Sequence, residues 1–184
     1  LKKDRKDDTL LTAVVDLAAR NDVEIVPATD LVPELLATSG LLAGPRLSAG
    51  QERDIEFAWK MAKELGRLDI GQTVVVQGQA VLAAEAIEGT DECIRRAGRL
   101  CPSGGFTVVK VSKPQQDMRF DVPTIGVCTL QTVAQAGGRV LAIEADKTIL
   151  LDQSEVSTFA QRHQISLVAR NDYDQVRLKH SRVA

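Results

Sequence analysis

The segment Lys-Val-Ser-Lys-Pro-Gln-Gln-Asp-Met-Arg-Phe-Asp-Val-Pro-Thr-Ile-Gly, Lys110 to Gly126, gathers Lys110, Lys113 and Arg119 with Asp117 and Asp121 in one connection. Cations that neutralise phosphate oxygens, beside carboxylates that hold a hard metal ion, are the groups that metal-assisted phosphate ester chemistry needs. Asp117 and Asp121, with Arg119 between them, suit a magnesium ion and a phosphate oxygen, because magnesium takes only one or two carboxylates when phosphate oxygens and waters complete its shell. The bland alternative is a solvated loop in which Arg119 pairs with Asp117 or Asp121 for little gain. Pro123-Thr124-Ile125-Gly126 reads as a rigid turn presenting Thr124 as a helix cap or phosphate donor.

A second candidate is Glu85-Ala-Ile-Glu88-Gly89-Thr90-Asp91. Glu85 and Glu88 straddle a strand-to-helix junction, Gly89 permits close approach, and a helix capped by Thr90 or Asp91 offers unpaired N–H groups to an anion. The same residues also read as an ordinary cap whose acids complement the helix dipole. Arg95, one turn beyond Asp91, is within reach of a phosphate, although Arg95, Arg96 and Arg99 together read better as a solvated face. His163 and His180 stand far apart with no nucleophile pattern nearby, which argues against an acyl-transfer triad. Gly104-Gly105 precedes a strand rather than a helix and so fails the context of a dinucleotide or P-loop signature.

The elements that must position these residues follow from periodicity. Leu10 to Ala18 is helical, Val23–Val26 a short strand, and Ala28-Thr29-Asp30 caps a short helix reaching Leu36. Thr38–Leu47 reads as a linker and marks a domain boundary, with residues 1–44 before it and 45–184 after it. Ser48 and Gln51 form a capping box for a helix burying Ile55, Ala58, Trp59, Ala62 and Leu65, stopped at Gly66. Thr73–Ala86 is a hairpin around Gly78, followed by a helix with Ile94, Ala97 and Leu100 inward. Phe106–Val111 is a strand, a helix ends at Gly137-Gly138, and Val140–Leu151 with the helix from Ser154 to about Gln164 repeats the hairpin-helix plan. Ile165–Val168 is a last strand, and Asn171–Ala184 is a polar, fraying tail. The expected class is α+β (mixed α/β): ββα-type units around a mixed sheet, with a short α/β fragment at the N-terminus.

Composition bounds the partners. With 184 residues, a net charge of −2 and interspersed signs there is no basic footprint for nucleic acid. Cys93, Cys101 and Cys128 form no CxxC pair and, with two histidines, no zinc spacing; they read as small buried thiols of a reducing compartment. No apolar run approaches the roughly 20 residues of a membrane span, and no signal peptide is recognisable. A cytoplasmic protein is expected, with action at a membrane surface left open.

Asp69-Ile-Gly71-Gln72, Glu85-Ala-Ile-Glu88-Gly89-Thr90-Asp91, Lys113-Pro-Gln-Gln-Asp117 and Arg119-Phe-Asp121-Val-Pro-Thr-Ile-Gly126, in this order, resemble the C-terminal domain of the UDP-2,3-diacylglucosamine pyrophosphatases of bacteria that lack the more widespread metallophosphoesterase version. The resemblance covers about Gly44 to Val168. Val26-Pro-Ala-Thr-Asp30 and Pro33-Glu-Leu-Leu36 resemble the end of that family's Rossmann-like N-terminal domain. It implies magnesium-dependent hydrolysis of UDP-2,3-diacylglucosamine to UMP and 2,3-diacylglucosamine 1-phosphate, in lipid A biosynthesis, by water attacking the α-phosphorus. Asp121 is then the essential carboxylate, with Asp121, Asp117 and Glu88 towards the metal and Lys113 and Arg119 stabilising developing charge. Glu88, Gly89, Thr90, Asp91, Lys110 and Thr124 bind substrate. Asp121 as metal ligand is favoured over general base, because a charged diphosphate must be offset before water attacks. Peripheral contact with the inner membrane is implied by the substrate, and a domain lacking most of its N-terminal partner is open to forming a homodimer. A competing reading is a non-catalytic module that binds an anionic nucleotide-sugar or phospholipid head group through Lys110, Lys113 and Arg119.

Overall fold

The computed structural model describes residues 7–171, with side chains from residue 11 onward. Its centre is a six-stranded mixed sheet in the order β1-β8-β6-β4-β2-β3. The strands are β1 Gly40–Ala43, β2 Thr73–Gln77, β3 Ala80–Ala84, β4 Thr107–Lys110, β6 Val140–Glu144 and β8 Ser166–Arg170, while β5 Thr124–Ile125 and β7 Ile149–Leu150 form a separate parallel pair. Strands β4, β6 and β8 are parallel; β1 and β2 run antiparallel to their neighbours β8 and β4.

The parallel centre is buried on both faces, which explains its runs of Val, Ile, Leu and Ala rather than a clean alternation. On one face Val74, Val76, Val109, Ala142 and Val168 meet Ile55, Ala58, Trp59 and Ala62 of α3 (Ala49–Arg67). On the other, Val75, Val108, Leu141, Ile143 and Leu167 pack against Cys93, Ile94, Leu130, Val133, Val156 and Ala160. Those residues lie on α4 (Thr90–Leu100), α5 (Val127–Ala136) and α6 (Gln153–Arg162). The α+β class with a mixed sheet is therefore as expected.

Local rules account for much of this. The Ser48 hydroxyl accepts from Gln51 N at 3.2 Å while Gln51 Oε1 accepts from Ser48 N at 2.8 Å, a reciprocal capping box. The β2–β3 turn places Gly78 and Gln79 at φ of 57° and 60°, the left-handed pair that a tight hairpin requires. Gly137, at φ 90°, closes α5.

Several expectations need correction. The Thr38–Leu47 linker contains β1, an edge strand on β8. Val23–Val26 is not a strand; it meets no sheet edge, and Val23 and Val26 are exposed. Pro33 interrupts the short helix that follows α1 (Asp7–Ala19), giving α2 (Ala28–Leu31) and a 3-10 turn, Pro33–Leu35. Gly66 does not stop α3. It lies in the last turn, where a Cβ would come within 3.1–3.2 Å of Pro114 and Lys113, and Asp69 beyond it takes the left-handed conformation. Leu100 is exposed, as is Cys128. The second hairpin does not form: β7 leaves β6 to pair with β5, because Asp146-Lys147-Thr148 carries the chain away from the β6 ladder. The expected fraying beyond Asn171, and His180, lie outside the described residues.

Candidate phosphate site

The two chemistry-bearing segments meet at Lys110. Strand β4 places Lys110 opposite Thr73 of β2, on the sheet face that receives the first turn of α4. Lys110 is 9% exposed, and its Nζ donates to Thr90 Oγ1 at 3.0 Å. Thr90 Oγ1 donates to Glu85 Oε1 at 3.0 Å and lies 3.3 Å from Thr73 Oγ1. Glu85, also buried, accepts from Gln72 N through Oε2 at 3.3 Å. Burial pushes the Lys110 ammonium below its ordinary pKa, while Glu85, Asp91 and Asp121 pull it back up. Three carboxylates on three segments thus act on one desolvated cation.

Gly89 makes this junction possible. At φ 81° it is the N-cap of α4 and turns the chain so that Thr90 enters the first turn. No side chain caps α4, so Thr90 is not the expected cap and its hydroxyl serves the site instead. Gly71 lets the Asp69–Gln72 turn lie against the end of β3: a Cβ there would sit 2.2 Å from Glu85 O.

The long loop is built as a set of charge pairs. Arg119 grips Asp117 through Nε and Nη2, with the shortest contact 2.6 Å, which holds the Asp117 carboxyl below the usual range. Lys113 pairs with Asp69 at 2.9 Å. Gln115 donates to Gly66 O at 2.7 Å, and Ser112 N donates to Glu144 Oε2 at 2.8 Å. Glu144, 2% exposed, is also bound by Lys63 at 2.7 Å and Lys147 at 3.0 Å, so the root of the loop is tied to α3 and β6. Asp121 differs from its neighbours: its side chain makes no hydrogen bond or ion pair among the described residues.

Glu88 is exposed and ion-paired with Arg96, which also donates to Ala84 O at 2.7 Å. Its own peptide N–H and then the Arg96 guanidinium hold its carboxyl below the usual range. Asp91 makes a loose pair with Arg95 at 3.8 Å. Thr124 donates to Val122 O and does not cap α5, which begins after Gly126.

Of the proposed residues, Thr90, Asp91, Lys110 and Asp121 are linked by contact or charge. Lys113, Asp117, Arg119 and Glu88 are engaged with partners of their own. No three His, Cys, Asp or Glu side chains form a metal-holding group among the described residues, so Asp121, Asp117 and Glu88 are not a ready-made cage. Sequence reasoning undervalued Glu85, Thr73 and Asp69. The signal available was position, since Glu85 follows β3 at the same junction as Thr90, but an inward carboxylate there needs the charge of Lys110 to be understood.

Two open clefts lie apart from this site among the described residues, one around Ser48, Asp54 and Gln79 and another along α6 at Phe159 and Arg162. Lys110 lines neither of these two, and its donor set is what marks the site. Among the described residues no helix is long and apolar enough to cross a membrane.

The family model for the LpxI C-terminal domain matches residues 38–168. The chain is 37% identical to the UDP-2,3-diacylglucosamine pyrophosphatase LpxI of Caulobacter vibrioides, over 82% of this chain and 56% of that protein. The chain therefore spans little more than half the length of this relative.

Proposed function

The chain belongs to the LpxI family, and on that footing we propose that, in its full-length protein, it hydrolyses UDP-2,3-diacylglucosamine to UMP and 2,3-diacylglucosamine 1-phosphate in lipid A biosynthesis. The observation that carries this reading is the 3.0 Å bond from Lys110 to Thr90, which joins both phosphate-handling segments at one buried cation.

Lys110 offers its ammonium to the diphosphate from a desolvated position, where electrostatic stabilisation is worth most. Lys113 and Arg119 are held on Asp69 and Asp117. A diphosphate carries more negative charge than either carboxylate and competes for both cations. A water oxygen bonds to one phosphorus of the diphosphate as the bond from that phosphorus to the bridging oxygen breaks, the water's proton passes to solvent, and the other phosphate fragment leaves with the bridging oxygen. The cations stabilise the charge gathering on both fragments.

Magnesium is the cofactor in this reading. Asp121, partly exposed and without a side-chain partner among the described residues, fits a hard ion whose shell is completed by phosphate oxygens and waters. Asp117 and Glu88 would join it only by leaving Arg119 and Arg96. When bound, the ion offsets diphosphate charge before attack. An acylated substrate favours work in peripheral contact with the inner membrane, on its cytoplasmic side in this reading.

The test is UMP release by the full-length protein from UDP-2,3-diacylglucosamine, with and without magnesium. Magnesium-dependent UMP is the expected product; metal-independent binding of the substrate with no UMP would replace the enzyme by a binding module.

A further inference from the structure

We propose that Glu85 is a positioning residue of this site: it fixes, through the Thr90 hydroxyl, where the Lys110 ammonium sits and which way it points. This rests on the phosphate-handling reading above.

A threonine hydroxyl has one proton to donate and two lone pairs to accept with; an ionised carboxylate only accepts; an ammonium only donates. Thr90 Oγ1 lies within hydrogen-bond distance of Glu85, Lys110 and Thr73. Its one proton goes to Glu85 Oε1. Both lone pairs are then available, and Lys110 and Thr73 are the donors that fill them. The chain runs in one direction, from ammonium to hydroxyl to carboxylate, and Thr90 is fully satisfied by it.

Glu85 is itself pinned. Its second oxygen accepts from Gln72 N, and the turn supplying that N–H lies close because Gly71 has no side chain. The residue is 7% exposed and directly follows β3, and its own N–H is tied to Thr73 O at 2.8 Å. Lys110 is a long, flexible side chain that burial alone would not orient. Held by Thr90, it retains two further protons, and the Asp121 carboxylate is one of the three charges that act on it. Glu85 does not touch the diphosphate in this account; it acts through Thr90.

Substitution by glutamine separates position from size. Glutamine fills the same volume, but one carboxylate oxygen becomes an NH2 group. Either Gln72 N or the Thr90 hydroxyl then meets a donor in place of an acceptor, and Lys110 loses a buried countercharge.

The experiment follows the Lys110 ammonium by proton–nitrogen NMR in the full-length protein, assigned by its disappearance in Lys110→Met, together with kcat and KM for UMP release. In Glu85→Gln the ammonium signal is expected to shift or broaden, and kcat to fall at least tenfold with KM changing less. Thr90→Val is expected to do the same, Thr90→Ser to recover most of the loss, and the Glu85→Gln/Thr90→Val double variant to lose no more than the worse single one. If Glu85→Gln does not fold, Thr90→Val and Thr90→Ser carry the comparison alone. An unmoved Lys110 signal in folded Glu85→Gln or Thr90→Val, or losses that multiply in the double variant, would overturn the proposal. A Lys110 signal that moves in the variants while the wild-type protein releases no UMP would leave the positioning in place and sink the pyrophosphatase reading instead.

Discussion

Lys110 of β4 and Thr90 of α4 are joined by a 3.0 Å hydrogen bond across 20 residues of chain. The bond brings a cation from one candidate segment onto the hydroxyl of the other. Lys110→Met keeps the buried stem and removes only the charge and its protons. Steady-state UMP release should fall by about 100-fold, the scale of losing one well-placed electrostatic stabiliser. A fall under threefold in a folded variant would take Lys110 out of the site.

The same lysine sets a pH dependence. Burial lowers the Lys110 pKa, with Glu85, Asp91 and Asp121 opposing the shift. Between that depressed value and the ordinary lysine range, the unfolded chain binds a proton that the folded chain does not. Stability therefore rises with pH across this interval, and Lys110→Met should flatten the rise in denaturant midpoints. Activity should move the opposite way, declining on an alkaline limb that begins below the ordinary lysine range. Wild type and Lys110→Met giving superimposable stability curves would rule out the buried charge.

How much of this was legible from residues alone depends on the kind of signal. Ser48 with Gln51, Gly78 in its turn and Gly137 after α5 act within a few residues, so pattern was enough to place α3, the first hairpin and the end of α5. The β7 strand and β1 were misplaced because partner choice is a long-range matter: Ile149 pairs with Thr124, and Leu41 with Val168. At the site, charged residue types pointed to Lys110, Thr90, Asp91 and Asp121, which the fold links. They could not foretell that Lys113 turns to Asp69 or that Glu88 turns to Arg96. Such pairings are decided by which side chains tertiary packing leaves within reach.

Gly71 is expected to tolerate no side chain. A Cβ would sit 2.2 Å from the backbone oxygen of Glu85, so Gly71→Ala must push the turn away from β3. A loss of roughly 1–3 kcal/mol in urea unfolding is the range for such overpacking, with UMP release reduced as Glu85 loses Gln72 N. An unchanged midpoint would show that the turn has room to yield.

Glu144 tests the root of the loop. It is buried between Lys63 at 2.7 Å and Ser112 N at 2.8 Å. Glu144→Ala leaves Lys63 without this partner and should cost about 3 kcal/mol, the scale for breaking one side of a buried ion pair. Calorimetric unfolding is the check, and a shift equal to that of the exposed Arg67→Ala control would argue against an anchoring role.

Magnesium removal should separate activity from folding. With no cluster of three metal-ligating side chains among the described residues, a chelator should abolish UMP release without lowering the melting temperature. Activity should return on adding magnesium. A large loss of melting temperature would reveal a structural metal that this donor set does not explain.

The most direct measurement compares Asp121→Ala with wild type in magnesium-dependent UMP release from UDP-2,3-diacylglucosamine, with melting temperature as the control for folding. Asp121 has no hydrogen bond or ion pair to lose among the described residues, so its removal should leave the fold intact while hydrolysis drops to background. Full activity in a folded Asp121→Ala protein would contradict the account at its centre.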